Sequence, residues 1–523
     1  MLMVLINNHF MLYKELSIEQ PGWTKLLALA GLATALGLSL PVGYNIGVVN
    51  SPASIIRQFC NESITAHYGD APSESALNLV WSAVVCIFIV GAAVGSLGGS
   101  ALAARLGRKG VLVICAALAA LAALMFFACK AAGSVEMLVL GRLLAGLSAG
   151  LTTCVMPMYL TELAPLRLKG AMGVLCPLGL TFGVLAGQVI SMNSLLGNDE
   201  YWPYCLAIYA LPTFVSILIL PVLPESPKFL FVVKNQPQAA LKELQKIRGV
   251  QEELLKDEIE SLKTEAEENR KNAGDSVGLG KVITDRSLLL PLTLVCCLQA
   301  GQQFSGINAV FYYSTDIFKA AGLTNTAAEL ATIGAGIFNF AMAVISIPLM
   351  SSVDRRTCIL FSLETSIAFL IILGLGLTYI QYSSWVAYVS IVGLLGFVIC
   401  YGIGLGPIPY FIGSELFEVG PRPSAMALGS MFNWGGNFIV GLLFPILKVY
   451  IGAAWFFIFA AICLALFVFV RFYLPETRGR DTSEIAHICR NGFASRPLQG
   501  SIIDTRNINT ENQELEKMND GNV

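Results

Sequence analysis

The chain has 523 residues, of which 55% are hydrophobic and only 13% are charged, and its formal net charge is −2. Soluble globular domains carry about 25% charged residues, so most of this chain is predicted to lie in a lipid bilayer. The composition excludes a soluble enzyme, a nucleic-acid-binding protein and a secreted disulfide-rich scaffold, and the near-zero net charge indicates no polyanionic partner.

Twelve apolar segments follow one another along the chain. They span residues 25–46, 79–103, 110–130, 135–160, 171–192, 203–223, 288–314, 328–350, 357–380, 385–413, 422–446 and 451–474. Each is long enough to cross roughly 30 Å of hydrocarbon, which takes about 20 residues of helix. We therefore expect an all-α membrane protein with twelve transmembrane helices.

Basic residues occupy alternate short loops, which predicts that these loops face the cytoplasm. They are Arg105, Arg108, Lys109, Arg167, Lys169, Arg355, Arg356 and Arg422. The longest loop on the opposite side contains the sequon Asn61-Glu62-Ser63, so we expect a glycan on Asn61. These features predict a multi-pass plasma-membrane protein with cytoplasmic N- and C-termini.

More than half of the charged residues lie in two stretches, 224–286 and 475–523. In the first stretch, Leu241, Leu244 and Ile247 show three-and-four spacing, which predicts a small cytoplasmic helical bundle. A docking site for a partner is the alternative. The expected domains are a cytoplasmic N-terminus (1–24), a six-helix half (25–223), a cytoplasmic helical linker (224–286), a second six-helix half (287–474) and a partly disordered cytoplasmic tail (475–523).

Three sequence landmarks of the first half recur in the second at a nearly constant spacing. The pairs are Arg108 with Arg355, Glu162 with Glu415, and Glu225 with Glu476, at offsets of 247, 253 and 251 residues. Because six crossings return the chain to its starting side, the two halves are parallel repeats. Substrates of such proteins bind between the halves near the midplane.

The cytoplasmic landmarks predict a salt-bridge network at one face of the membrane. Its expected members are Arg108, Arg142, Glu162, Lys169, Glu225, Arg355, Arg356, Glu415, Arg422 and Glu476. Such pairs can form in one conformation and break in another, which would make the network a latch. In the alternative interpretation, the arginines only set the orientation and the carboxylates cap helices.

Thirteen cysteines and three histidines offer no spacing typical of a metal site. Most cysteines lie inside apolar segments, where they are predicted to be small buried hydrophobic residues. We therefore expect no metal and no other cofactor. Paired carboxylates or an activated nucleophile are also missing from the apolar segments, so the chain is not predicted to be an enzyme.

Seven motifs carry a family resemblance that runs from about Gly43 to Arg480. They are Gly-Arg (141–142), Pro-Met-Tyr-Leu-Thr-Glu-Leu-Ala-Pro (157–165), Pro-Glu-Ser-Pro-Lys-Phe-Leu (224–230), Gln-Gln-Phe-Ser-Gly-Ile-Asn-Ala-Val-Phe-Tyr-Tyr-Ser (302–314), Gly-Pro-Ile-Pro (406–409), Gly-Pro-Arg-Pro (420–423) and Pro-Glu-Thr-Arg-Gly-Arg (475–480). Together they resemble the sugar-porter branch of the major facilitator superfamily, and within it the facilitative hexose transporters. The resemblance implies the major facilitator fold and a monomer that moves a hexose by alternating access.

The seventh apolar segment carries amides, at Gln302, Gln303 and Asn308, that need polar partners inside the membrane. A hexose fits, because its hydroxyls both donate and accept hydrogen bonds as neutral amides do. The resemblance assigns sugar contacts to Gln302, Gln303, Asn308, Asn339, Tyr410, Asn433 and Trp434. The alternative is that the amides only join helices.

The resemblance also assigns gating residues. Tyr312 and Tyr313 correspond to an extracellular gate, and Gly406, Pro407 and Pro409 to a flexible part of the tenth segment. Glycine and proline weaken helical hydrogen bonding, so a helix that contains them can bend as a cavity opens. Simple packing is the alternative role.

Departures from the family pattern bear on the cargo and on coupling. Pro177 replaces a sugar-binding glutamine, Gly402 an acidic residue and Tyr410 a tryptophan, which favours the class with fructose and mixed glucose/fructose carriers. Gly43-Tyr44-Asn45 stands where proton-coupled relatives carry an aspartate, and an amide cannot bind and release a proton in the physiological range, so we expect passive uniport of glucose or fructose. A proton-coupled symporter, with Glu364 as a candidate proton site, and a transport-deficient sugar sensor are the alternatives.

Overall fold

The computed structural model describes residues 22–49, 51–69, 72–272, 278–320, 322–490 and 492–495, which are almost entirely helical. Eleven stretches are long and apolar enough to cross a membrane. They are Lys25–Gly47, Glu74–Cys129, Val135–Leu163, Leu166–Ile190, Trp202–Val222, Arg286–Phe311, Leu330–Ser352, Arg355–Thr378, Trp385–Leu416, Arg422–Phe444 and Gly452–Tyr473. The 56-residue stretch Glu74–Cys129 crosses twice, so the predicted twelve crossings, here numbered spans 1 to 12, are confirmed.

The break inside Glu74–Cys129 lies at Gly107, which separates spans 2 and 3. Its φ of 81° and ψ of 176° leave the helical region, and only glycine adopts that conformation at little cost. A Cβ atom at this position would also meet the Glu225 carboxylate. Gly107 therefore lets the chain turn back and lets Glu225 approach the start of span 3.

Two of the spans in the second half are interrupted. Span 7 breaks between Phe304 and Ile307, where Gly306 has a φ of 86°. Span 10 consists of the helices Ser384–Ile403 and Ile408–Leu416, separated by a glycine- and proline-containing turn. Such breaks free backbone carbonyls, which need other donors because a bilayer supplies none.

The two halves meet mainly along two helix pairs. Span 2 packs against span 11, and span 5 packs against span 8, while span 4 adds contacts with spans 10 and 11. On the outer surface, large apolar side chains such as Leu211, Phe214 and Leu218 of span 6 are more than 60% exposed. An exposed apolar band of this kind is stable only in contact with lipid.

Beneath the spans lies a set of shorter helices. The linker contains Pro237–Arg248, Glu252–Leu255, Lys256–Asn272 and Leu279–Thr284, and the tail contains Thr482–Cys489. Leu244, Leu255, Ile259 and Leu262 form a small core between the linker helices. The three-and-four spacing in this stretch thus corresponds to buried helix faces.

Candidate functional site

A cavity lies between the two halves. Spans 1, 5, 7, 8, 10 and 11 contribute its walls. Of the predicted sugar contacts, the structure brings six together here, namely Gln303, Asn308, Asn339, Tyr410, Asn433 and Trp434.

The amides of spans 7 and 11 bond to one another at the cavity wall. Gln303 Nε2 donates to Asn433 Oδ1 at 3.0 Å, and Asn433 Nδ2 donates to Gln302 Oε1 at 2.6 Å. Asn308 Nδ2 donates to Gln303 Oε1. The cluster satisfies most of its own hydrogen-bonding groups, so it keeps a fixed shape in an apolar surrounding.

Gln302 is not among the residues that line the cavity in this structure, so its predicted contact with sugar stays a prediction. Its side chain is buried behind the wall, and Nε2 donates to the carbonyls of Leu405 at 3.1 Å and Gly406 at 2.7 Å. These carbonyls are freed by the break in span 10. For Gln302, the interpretation as an amide that joins helices is the better one.

The residues predicted to gate the cavity do not all lie at its wall. Gly406 and Pro407 line the cavity at the break in span 10. The carbonyl of Pro409 accepts a hydrogen bond of 2.9 Å from Gln299 Nε2, so it belongs to the same contact between spans 7 and 10 as the Gln302 bonds. The side chains of Tyr312 and Tyr313 lie outside the described part of the chain, and their role stays a prediction.

Trp434 is held by a group of hydroxyls that crosses between the halves. Its Nε1 donates to Thr153 Oγ1 of span 4 at 3.1 Å. Ser430 Oγ lies 3.0 Å from Thr153 Oγ1 and 2.8 Å from Ser96 Oγ of span 2. The indole N–H is therefore occupied, and the ring is the part of Trp434 that faces the cavity.

Two amides of the cavity were missed in the sequence. Gln188 and Asn437 line it, and neither Gln188 Oε1 nor Asn437 Oδ1 has a hydrogen-bond partner among the described residues. A signal existed for Asn437, because it lies four residues after Asn433 and so shares its helix face. Such unpaired acceptors suit a ligand that brings its own donors.

The ion pairs of the first half centre on Glu162 at the end of span 4. Arg108 holds this carboxylate with two bonds, Nε to Oε2 at 2.9 Å and Nη2 to Oε1 at 3.0 Å. Ser226 Oγ donates to it as well. Glu225 instead accepts from the backbone N–H groups of Arg108 and Lys109, at 3.1 and 3.2 Å, and caps span 3.

The second half repeats this arrangement. Glu415 accepts from Arg355 Nη2 at 3.1 Å and from Thr477 Oγ1 at 2.5 Å. Glu476 caps span 9 by accepting from the N–H groups of Arg355 and Arg356, both at 3.0 Å. Both sequence interpretations therefore apply, since one carboxylate of each half pairs with arginine and the other caps a helix.

The duplication breaks down where the halves meet. Arg422 Nη1 of span 11 reaches Glu162 Oε1 at 2.9 Å, and both side chains are almost fully buried. Lys169 stands 253 residues before Arg422, but it pairs with Asp481 of the tail at 3.7 Å, not with Glu415. Direct pairing across the halves is thus asymmetric.

Two predicted members of the network lie elsewhere. The guanidinium of Arg142 donates to the carbonyls of Asn45 and Val84, at 2.9 and 3.1 Å, and covers the Phe88 ring. It lies 20 residues from Glu162, about 30 Å along span 4. The Arg356 side chain donates to the Arg471 carbonyl, so Arg356 joins the network only through its backbone.

The linker and the tail extend the ionic cluster. Lys228 Nζ and Glu265 Oε2 are 2.5 Å apart, and Arg422 Nη2 lies 3.8 Å from Glu265 Oε1. Burial opposes ionisation of Glu265, but Lys228 and Arg422 outweigh it and lower the pKa of its carboxyl. Lys169 and Lys228 likewise overcome burial and lower the pKa of Asp481.

For Glu225, burial outweighs the groups that favour the charged carboxylate. Its carboxyl is buried, and desolvation raises its pKa despite the backbone N–H groups of Ser226 and Lys109 that favour the charged form. A helix cap in a dry surrounding therefore keeps its charge less readily than the paired carboxylates do.

Comparisons with known proteins agree with this architecture. Residues 30–488 match the sequence family described as "Sugar (and other) transporter". The chain is 38% identical over 473 residues to the Gallus gallus protein named solute carrier family 2, facilitated glucose transporter member 1, covering 90% of this chain and 95% of that one. It is 37% identical to member 5 of Equus caballus, covering 89% and 92%.

A solved structure shares the fold. The proton:xylose symporter XylE bound to 6-bromo-6-deoxy-D-glucose, described as a major facilitator superfamily protein, superposes with a TM-score of 0.76. The superposition covers 88% of this chain and 98% of that one at 23% identity. The predicted fold class is thereby confirmed.

Proposed function

Because this chain belongs to the sugar transporter family of the major facilitator superfamily, we propose that it moves hexoses passively across a membrane by alternating access. The relatives named above are facilitated glucose transporters, and that description is extended here to this chain. The protein is a transporter and not an enzyme.

The neutral cavity between the halves carries this proposal. Its polar wall is built from Gln303, Asn308, Asn339, Asn433 and the unpaired oxygens described above. Amides can exchange hydrogen bonds with hydroxyls without the desolvation cost of a charge. The aromatic faces of Tyr410 and Trp434 supply apolar surface for the ring carbons of a sugar.

Passive transport is favoured by the chemistry of the wall. The described residues that line the cavity include no carboxylate, ammonium or imidazole that could bind and release a proton during transport. Glu364 lies on the exposed surface of span 9 and not at the cavity. We therefore favour uniport over proton coupling.

The ion-pair network serves, in this proposal, as the latch that closes one end of the cavity. Glu162 and Arg422 connect the halves there, while Gly406 and Pro407 allow the wall formed by span 10 to move. Gln302 connects span 7 to the interrupted span 10 through its hydrogen bonds to the Leu405 and Gly406 carbonyls.

Several properties complete the proposal. The protein acts as a monomer in the plasma membrane, with the latch, the linker and both termini in the cytoplasm. The helix Ala53–Tyr68 then lies outside the cell and carries a glycan on the partly exposed Asn61.

Uptake of labelled D-glucose and D-fructose into proteoliposomes tests the function. We expect saturable uptake that stops at equal concentrations on both sides, with or without a proton gradient. Accumulation driven by the gradient would contradict uniport. Absence of flux with both sugars would contradict hexose transport and favour a sensor.

A further inference from the structure

Gln188 lies at the end of the cavity that is remote from the ion-pair network. It is a residue of span 5, and its side chain lines the cavity. A Cβ atom added to Gly336 of span 8 would lie 2.8 Å from Gln188 Oε1. The amide therefore reaches from the first half of the protein to the second.

The Gln188 oxygen differs from those of the inner amides. Gln303 and Asn433 donate and accept within their cluster, whereas Gln188 Oε1 is buried and has no partner in the part of the chain that the structure describes. Around it stand apolar residues such as Ile46, Val184 and Leu185. A buried acceptor without a donor is costly, so this position favours a ligand that donates a hydrogen bond.

We propose that Gln188 contacts the transported hexose and forms an outer subsite, in which its amide oxygen accepts a hydrogen bond from a sugar hydroxyl. The proposal rests on the function proposed above. Gln188 lies eleven residues from Pro177, about 16 Å along the helix. A side chain so far along span 5 does not take the place of a polar group at position 177, so the outer subsite holds the sugar at a second position.

Three variants separate a sugar contact from a structural role. Gln188→Met keeps the length of the side chain and removes the acceptor, whereas Gln188→Glu keeps a carbonyl-type acceptor in either protonation state. Gly336→Ala leaves Gln188 intact but places a methyl group where its amide lies. Because alanine has a higher helix propensity than glycine, this change does not weaken span 8 locally.

Initial rates of D-glucose and D-fructose uptake are measured in proteoliposomes, together with the Tm of each purified variant without sugar. For the sugar that the wild type carries, Gln188→Met is expected to raise KM about threefold to tenfold with little change in Vmax. Gly336→Ala should raise KM in the same direction, and Gln188→Glu, which keeps the acceptor, should raise KM less than Gln188→Met does.

An unchanged KM in Gln188→Met would overturn the outer subsite and would indicate that water occupies this position. Equal impairment of Gln188→Met and Gln188→Glu with a lowered Tm would overturn it in favour of a packing role. If the wild type itself carried neither sugar, the proposed function would fail, and this result is distinct from a failure of the subsite.

Discussion

Glu162 and Arg422, 260 residues apart in the chain, form a buried ion pair of 2.9 Å that joins the two halves of the protein. The same carboxylate is held by Arg108, so one carboxylate bonds to two guanidinium groups. Removing one partner of a buried ion pair leaves an uncompensated charge, which typically costs about 3–5 kcal/mol. The contact should therefore control how readily the halves separate at this end.

The first prediction concerns Glu162→Gln. We expect faster hydrogen–deuterium exchange at residues 417–424 and around Lys169, because the charge that connects the halves is lost. Glu415→Gln is the matched control, since Glu415 pairs with Arg355 of its own half. Arg355 also lies against Gly170 of span 5, so the comparison rests on residues 417–424, where Glu415→Gln should raise exchange less than Glu162→Gln does. Equal exchange at these residues in both variants would contradict the latch.

The second prediction separates Gln302 from Asn308. Gln302→Leu leaves the carbonyls of Leu405 and Gly406 without their donor, so Vmax and Tm should fall while KM changes little. Asn308→Ala removes a side chain of the cavity wall and should raise KM several-fold. Uptake kinetics with the carried hexose check both variants, and a rise in KM alone for Gln302→Leu would place its side chain in contact with sugar.

The third prediction concerns Ser430, whose hydroxyl lies against Ser96 and Thr153 of the other half. Ser430→Ala should lower the free energy of unfolding by about 1 kcal/mol. The control Ser414→Ala removes a hydroxyl that, among the described residues, bonds to the Phe411 carbonyl of its own helix. The Tm values of the two variants are compared. Equal decreases in Tm would contradict a contribution of the hydroxyl bridge between the halves to stability.

The fourth prediction is a pH dependence of stability. The pKa of Glu265 and that of Asp481 are lowered in the folded protein, so their stabilisation is present at neutral pH and is lost as the pH falls through these lowered pKa values. Glu265→Gln should lower Tm at pH 7, and its difference from the wild type should shrink in acid. Glu260→Gln, at a mostly exposed carboxylate, should behave as the wild type at every pH.

The number of spans and the duplication could be predicted because both depend on patterns that are visible in the sequence alone. A span needs only enough consecutive apolar residues, and the landmark pairs recur at fixed spacing. The bond partners could not be predicted in the same way. Nothing in the chain around Arg142 indicates that its partners are carbonyls of spans 1 and 2 and not carboxylates about 30 Å away.

The cavity wall was predictable in kind but not in detail. Gln302 and Gln303 are neighbours in a helix and point about 100° apart, and their spacing alone does not indicate that Gln303 is the one that lines the cavity. The break at Gly306 then resets the helical phase before Asn308, and spacing across it is uninformative. Gln188 was overlooked because a lone amide in an apolar segment gives no periodic signal.

The pairing of Lys169 with Asp481 links the tail to the half of the protein from which it does not emerge. The helix Thr482–Cys489 follows span 12, yet its preceding aspartate is bound to span 5 and to Ser261 of the linker. Separation of the halves at this end would break this ion pair, whereas the helix Thr482–Cys489 also packs on spans 7 and 10 of its own half. By thermodynamic reciprocity, a molecule that binds Asp481 in competition with Lys169 would lower the free energy of the open form relative to the closed one.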